Sequence, residues 1–321
     1  MATSNETPPT RVLLFGLGAI GGFYAFILNR APNVSLSVVA RTNYDVVKEK
    51  GLTIESHNHG THQVFFDAVY RSPSEASHKF DYIVCAHKAV NPSAIPPLFE
   101  SVTDSKTTFV IMQNGVGNED PFREKFPQCT IISGVVWVGA TQTSSGYIKH
   151  MQAENTEVGL FPNDRVPVEL ESERLDNFAA LMRQGGTNIS VEENVQLKRW
   201  EKVVWNVAWN SITTLTGVDT QAWLSTPEAM EMTRRLMLEV TQVGQRCGVP
   251  LKDDLADVLI ERILALPGIY SSMYVDAKEG RKLEIDVILG TPLKKAKEFG
   301  MDVPTLAALY ALLQAMNGRL G

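Results

Sequence analysis

The segment WEKVVWNVAWN, residues 200–210, sets Lys202, Asn206 and Asn210 at i, i+4 and i+8, along one face of a helix. Their neighbours are mostly apolar: Trp200, Val203, Val204, Trp205, Val207, Ala208 and Trp209. A helix with so much apolar surface is expected to be buried nearly all round. Buried asparagine is costly unless its amide finds a partner. The stripe therefore suggests a wet pocket; the competing reading is an exposed stripe in which Lys202 pairs with a nearby acid. Such a pocket suits carbonyl reduction. Hydride delivered to a ketone carbon leaves an alkoxide, which a lysine ammonium can stabilise and protonate. Neutral amides can hold hydroxyl or carboxylate oxygens without adding a titrating group.

A hydride source is suggested by RVLLFGLGAIGGFYAFILNR, residues 11–30. Gly16, Gly18 and Gly21 fit G-x-G-x-x-G, with a strand-like run over 12–15 before them and an apolar helix over 19–28 after them. In the dinucleotide-binding turn the first glycine permits a tight bend and the second lets backbone approach a pyrophosphate. The third lets the helix sit close on the strand, and the helix N-terminus offers N–H groups and a positive dipole to the anion. Gly16, Leu17, Gly18, Ala19, Ile20 and Gly21 are thus expected to cradle a cofactor, against the plainer possibility of a tight strand–helix turn. An acid about 20 residues further on would favour NAD. Here the second strand ends VVAR, which puts Arg41 at that place, where a guanidinium can grip a phosphate. NADPH is expected, unless Arg41 is only a solvated strand-end arginine. Asp45 lies too far along to be the obvious ribose ligand.

The elements that must position these groups follow from periodicity. Apolar runs at 36–40, 81–86 and 107–113 read as buried strands of a parallel sheet, with a helix-like segment around 43–50 and a hairpin over 51–66. CTIISGVVWVGA and GYIKHM extend the sheet around an antiparallel turn at 144–146, followed by a helix over 170–184 and a last strand, TNISV. Ligands of such sheets bind outside the carboxyl ends of the strands. Helical segments then cover 194–216, 227–247, 251–265, 273–299 and 304–318, broken at Gly and Pro. The fold class is α/β: a Rossmann-type dinucleotide-binding domain over 1–190 with a mostly parallel sheet, followed by an all-α domain over 191–321.

The 321 residues are 44% hydrophobic and 21% charged with net charge −6, which is ordinary globular composition and enough chain for two domains. Lysine and arginine form no long run, so no nucleic-acid partner is expected. MATSNETPPT lacks a basic region followed by an apolar core, so no secretory signal is expected. No apolar stretch approaches the roughly 18 residues that span a bilayer, and no membrane association is expected. The cysteines Cys85, Cys129 and Cys247 are too scattered for a disulfide framework or zinc site. A cytoplasmic protein is the expectation.

Taken together these residues resemble the ketopantoate reductase family (2-dehydropantoate 2-reductase). The likeness runs from Arg11 to about Pro304: GLGAIGG at 16–22, Arg41, HKA at 87–89, QNGVG at 113–117, WEK-xxx-N-xxx-N at 200–210 and SSM…LEID at 271–286. The resemblance implies reduction of a 2-oxo acid to a 2-hydroxy acid with NADPH, by a homodimer. It implies Lys202 as proton donor, with Asn206, Asn210 and Ser272 binding the 2-oxo acid and Asn114 between cofactor and substrate. Arg41 and Lys88 would meet cofactor phosphates, Glu284 the nicotinamide side, and Ala140 a cofactor-contacting backbone. Lys88 and Asn114 have support of their own, since each follows an apolar strand whose carboxyl end should face a cofactor.

Leu17 in the glycine loop and the tryptophans before each asparagine depart from the family pattern and leave the pocket volume open. Downstream of the stripe, SITTLTGVDTQAW lacks the further amide that some members use. A relative acting on a bulkier 2-oxo or D-2-hydroxy acid is therefore the first alternative, and a non-catalytic NADP(H) sensor the second. His57, His59 and His62 sit in an expected hairpin turn with diverging side chains, which argues against a metal site. His87 could face a cofactor but reads as a structural strand-end histidine, and Cys85 as a buried hydrophobe.

Overall fold

Strands that are apolar on both faces need cover on both sides, and the first half of the chain supplies it. The computed structural model describes residues 8–321; the polar start over 1–7, on which the absence of a secretory signal was expected, lies outside the described residues. Contacts divide the described residues into two compact units, one of residues 8–113 and 119–195, the other Asn114–Asn118 with Gln196–Gly321. A short loop of the first half thus belongs with the second unit.

The first unit holds β1 (Thr10–Phe15), α1 (Ala19–Arg30), β2 (Val34–Val39), α2 (Tyr44–Lys50), β3 (Leu52–Ser56), β4 (Gly60–Val64) and β5 (Ala68–Tyr70). It continues with β6 (Tyr82–Cys85), β7 (Thr108–Ile111), α3 (Asp120–Lys125), β8 (Thr130–Ser144), β9 (Tyr147–Leu160), α4 (Val168–Gln184) and β10 (Ile189–Val191). Among the described residues the strands form one sheet in the order β4-β3-β9-β8-β7-β6-β1-β2-β5, with β10 on β9. Only the β3–β4 and β8–β9 pairs are antiparallel.

Helix α1 is buried from Gly21 to Leu28 without a break. The cause is curvature of the sheet. Gly21 sits against Leu14 of β1, while Gly22 sits against Leu52 of β3 and Ile148 of β9, and Tyr24 Oη lies 2.7 Å from Thr156 Oγ1 of β9. Strands far apart in the sheet order can touch one helix only if the sheet curls round it. Phe23, Phe26, Ile27 and Leu28 are fully enclosed, each worth about 1.5–3 kcal/mol of transfer free energy. On the other face Leu13, Phe15, Ile83, Cys85, Phe109 and Ile111 form a second core with Phe99 and Phe122. Cover there comes from 3₁₀ turns, Pro73–Glu75, Pro92–Ala94 and Pro96–Val102. The short helix α3 adds Phe122 to the same cover.

The hairpin expected over 51–66 is present, with Ser56 opposite Gly60, but His59 and His62 converge rather than diverge. His59 Nε2 lies 3.0 Å from Glu154, and the rings of His59 and His62 both pack on Phe26. They anchor the hairpin to α1 and β9.

The second unit is helical: α5 (Val195–Thr216), α6 (Thr220–Trp223), α7 (Pro227–Arg246), α8 (Leu255–Leu264), α9 (Ser272–Lys278), a π-helical turn Asp286–Gly290, α10 (Thr291–Glu298) and α11 (Pro304–Asn317). Three starts carry side-chain caps: Asp219 Oδ1, Thr226 Oγ1 and Ser271 Oγ accept from the first-turn amides of α6, α7 and α9. The buried carboxylate of Glu239 on α7 accepts from the Thr305 and Leu306 amides and so caps α11. The single helix expected over 273–299 is divided. Gly280 ends α9 and the chain is irregular until Ile285. Among the described residues no helix is long and apolar enough to cross a membrane.

Candidate functional site

In the first unit the glycine loop performs three separate steric tasks. Gly16 has φ +101°, and a Cβ there would stand 2.5 Å from the backbone of His87. At Gly21 a Cβ would strike the Gly16 carbonyl, so only glycine lets α1 lie this close to β1. Gly18, the N-cap of α1, has nothing within 4 Å of its Cβ position. No side chain caps that helix end, and no acid lies in its first turn. Open space over uncapped amides fits a pyrophosphate, and an acid there would have repelled one.

The carboxyl ends of β1, β2 and β6 bring Gly16, Arg41, His87 and Lys88 to one edge, with Arg41 and Lys88 both exposed. Asp45 is held 2.6 Å from Arg71 Nη2, and the Arg71 guanidinium stacks 3.9 Å over the Tyr44 ring. Ala140 lies on β8 beside a register shift and is partly buried against the α1 core.

His87 is more deeply engaged than its sequence position suggested. Its ring stands edge-on to Phe15 at 4.8 Å, and Gln113 Nε2 donates to its carbonyl at 2.9 Å and lies 3.1 Å from its Nε2. An amide donor at Nε2 leaves the ring hydrogen on Nδ1, which is buried without a protein partner. Burial first, and the Arg41 charge second, push its pKa down to about 4. The folded protein therefore resists a proton that the unfolded chain accepts near pH 6.5. Stability is complete above that value and is lost as pH falls from about 6.5 to about 4. Unfolding midpoints in urea across this range should fall less steeply for His87→Gln than for the natural protein. The difference should total on the order of 3 kcal/mol; parallel curves would rule it out.

In the second unit the stripe is on α5 and is buried, not exposed. Lys202, Asn206 and Asn210 are 9%, 7% and 5% exposed. Lys202 Nζ donates to Asn114 Oδ1 at 2.9 Å, so lysine and amide, remote in sequence, meet within this unit. Glu284, just before the π-helical turn, is also buried. Ser272 is exposed at the first position of α9, while its neighbour Ser271 is buried, caps that helix and lies 2.8 Å from Thr213 Oγ1 on α5. Trp205 and Trp209 meet edge to face at 5.8 Å, with the Arg262 guanidinium 5.2 Å over Trp205. Arg199 escaped the sequence reading. It is 2% exposed and donates to the Gly115 carbonyl at 2.8 Å; its place three residues before Lys202 was the available signal.

Family models described as ketopantoate reductase PanE/ApbA and its C-terminal part match residues 12–163 and 194–317. The crystal structure of 2-dehydropantoate 2-reductase from Methylococcus capsulatus superposes with a TM-score of 0.86 at 32% identity, over 96% of this chain and 97% of that one. The chain belongs to the ketopantoate reductase family. Within that family, the 2-dehydropantoate 2-reductase of Geobacter metallireducens shares the fold with a TM-score of 0.85 at 27% identity, over 95% of this chain and 99% of that one. The enzyme of that name from Nostoc sp. is 26% identical over 306 residues, 95% of each chain. The mostly parallel curled sheet followed by helices is the ketopantoate reductase architecture, and the α/β fold class expected from sequence holds.

Proposed function

We propose that this protein is an NADPH-dependent reductase that converts a 2-oxo acid to a 2-hydroxy acid, with 2-dehydropantoate (ketopantoate) giving pantoate and Lys202 as proton donor. The observation that carries it is the Lys202–Asn114 hydrogen bond on a buried stripe shared with Asn206 and Asn210. A buried ammonium aimed by a neutral amide suits charge that appears only as a carbonyl is reduced. Family relatives named 2-dehydropantoate 2-reductase support the substrate.

The chain would hold the cofactor through the loop 16–21, with Arg41 and Lys88 toward its phosphates and Glu284 and the Ala140 backbone as further contacts. The open position at Gly18 over uncapped amides supports this assignment. NADPH supplies the hydride when bound. Asn206, Asn210 and Ser272 would hold the oxo acid through neutral hydrogen bonds. Lys202 Nζ neutralises the oxygen as it gains charge and transfers a proton to it, and Asn114 keeps that ammonium oriented.

The paired Trp205 and Trp209 beside the asparagines favour one second reading, a reductase for a bulkier 2-oxo acid. NADPH oxidation with ketopantoate beside a panel of aliphatic and aromatic 2-oxo acids separates the two. Turnover with ketopantoate at the highest kcat/KM is the expected result. A preference for aromatic acids would move the protein to the second reading. NADPH binding without turnover of any carbonyl would make it a sensor.

A further inference from the structure

A guanidinium is charged at all working pH values and is costly to bury without partners, yet Arg199 is 2% exposed. It precedes Lys202 by three residues on α5, so the two side chains leave neighbouring places on one helix surface. Both reach the same loop, Asn114–Asn118. Lys202 binds the Asn114 side chain, and Arg199 Nη1 binds the Gly115 main-chain carbonyl at 2.8 Å. The loop belongs to neither a strand nor a helix, so its shape depends on such ties. The Val116 amide donates to the Val287 carbonyl at 3.0 Å, and Asn118 Nδ2 to the Asn114 carbonyl at 2.7 Å. Gly115 lies directly on the π-helical turn: at φ +90°, a Cβ there would come within 2.5 Å of the Val287 carbonyl oxygen.

We propose that Arg199 is a positioning residue for the proton donor: by holding the Gly115 carbonyl it fixes the backbone that carries Asn114, and Asn114 aims Lys202. This rests on the reductase reading above. The role belongs to the guanidinium's geometry as well as its charge, since lysine offers a single point donor in place of a planar fork. Removing the donor would leave the Gly115 carbonyl buried and unpaired, so the loop would drift while α5 itself persists.

The test uses the full chain and the variants Arg199→Met, Arg199→Lys, Asn114→Ala and Arg199→Met with Asn114→Ala. Steady-state kinetics with the best oxo acid, NADPH titration by fluorescence and amide hydrogen exchange over 113–119 are measured on each. Arg199→Met should lower kcat about tenfold while NADPH affinity stays within about twofold, and Arg199→Lys should recover part of the loss. In the Asn114→Ala background the same substitution should cost little, because the two residues act in series. Exchange over 113–119 should rise in Arg199→Met while the α8 amides stay protected. Full kcat in Arg199→Met, costs that simply multiply, or unchanged loop exchange would each overturn the proposal. Should Arg199→Met fail to fold, Arg199→Lys carries the same comparison. If the natural protein reduces no oxo acid, the reductase reading falls, and with it the assignment of Arg199 to a proton donor; loop exchange then decides only whether Arg199 holds the loop.

Discussion

Lys202→Ala should lower kcat by about 10³-fold, within the range that a positioned general acid contributes, while NADPH binds as before. Lys202 stands on α5 among fully buried apolar side chains, so its aliphatic stem has a fixed path. Its Nζ donates to Asn114 Oδ1, a neutral acceptor that orients the ammonium without taking its proton. As the proposed proton donor that group would combine two contributions: a positive charge beside the forming alkoxide, and a proton to give. Lys202→Arg divides them, because guanidinium keeps the charge but is far too weak an acid to deliver a proton near neutrality. Arginine should therefore restore only a small part of the lost kcat. Rapid-mix measurement of a single turnover isolates the chemical step from product release. Full recovery by arginine would mean that the proton comes from elsewhere and that Lys202 acts through charge alone.

The parts legible in sequence are those set by local spacing. The i, i+4, i+8 stripe marked the buried face of α5, and G-x-G-x-x-G marked a turn whose glycines do separate steric work. Parallel strands announced themselves as apolar runs because both faces of β1, β6 and β7 are buried. What periodicity could not report is curvature. Nothing in residues 19–30 says that β3 and β9 return to touch α1, though its lack of a polar face is the consequence. The π-helical turn was hidden for a related reason: residues 285–298 keep a helical pattern, and the extra residue in the turn shows only in the hydrogen bonds. Arg199 was passed over since arginine on a helix is ordinarily solvated, and its bond to the Gly115 main-chain carbonyl leaves no trace in residue type. The histidine hairpin misled in the opposite way. Its side chains converge on Phe26 and Glu154 because α1 and β9 lie beneath the turn, and that is a tertiary fact.

Arg41→Ala should raise the KM for NADPH by one to two powers of ten and leave that for NADH nearly unchanged. The expected size follows from hydrogen bonds to a charged group, about 1.5–3 kcal/mol, since each 1.4 kcal/mol is a factor of about ten. Arg41 is exposed just past the end of β2, where a guanidinium can meet the ribose phosphate that distinguishes the two cofactors. The acid that could compete is already engaged. Asp45 is paired with Arg71, whose guanidinium carbon lies 3.9 Å over the Tyr44 ring. On the proposed reading, preference for NADPH would depend on an added attraction to phosphate, with little built-in affinity for a bare ribose diol. Because Arg41 is exposed, that attraction should weaken with salt, and the NADPH KM of the natural protein should climb with ionic strength more steeply than that of Arg41→Ala. Arg41→Asp should go further and reverse the preference, by repelling the phosphate and accepting the ribose hydroxyls. Kinetics with both cofactors at two ionic strengths decide the matter. Equal losses for NADPH and NADH in Arg41→Ala would place the guanidinium on a part the cofactors share, such as the pyrophosphate, and would leave selectivity to Lys88 or Arg71.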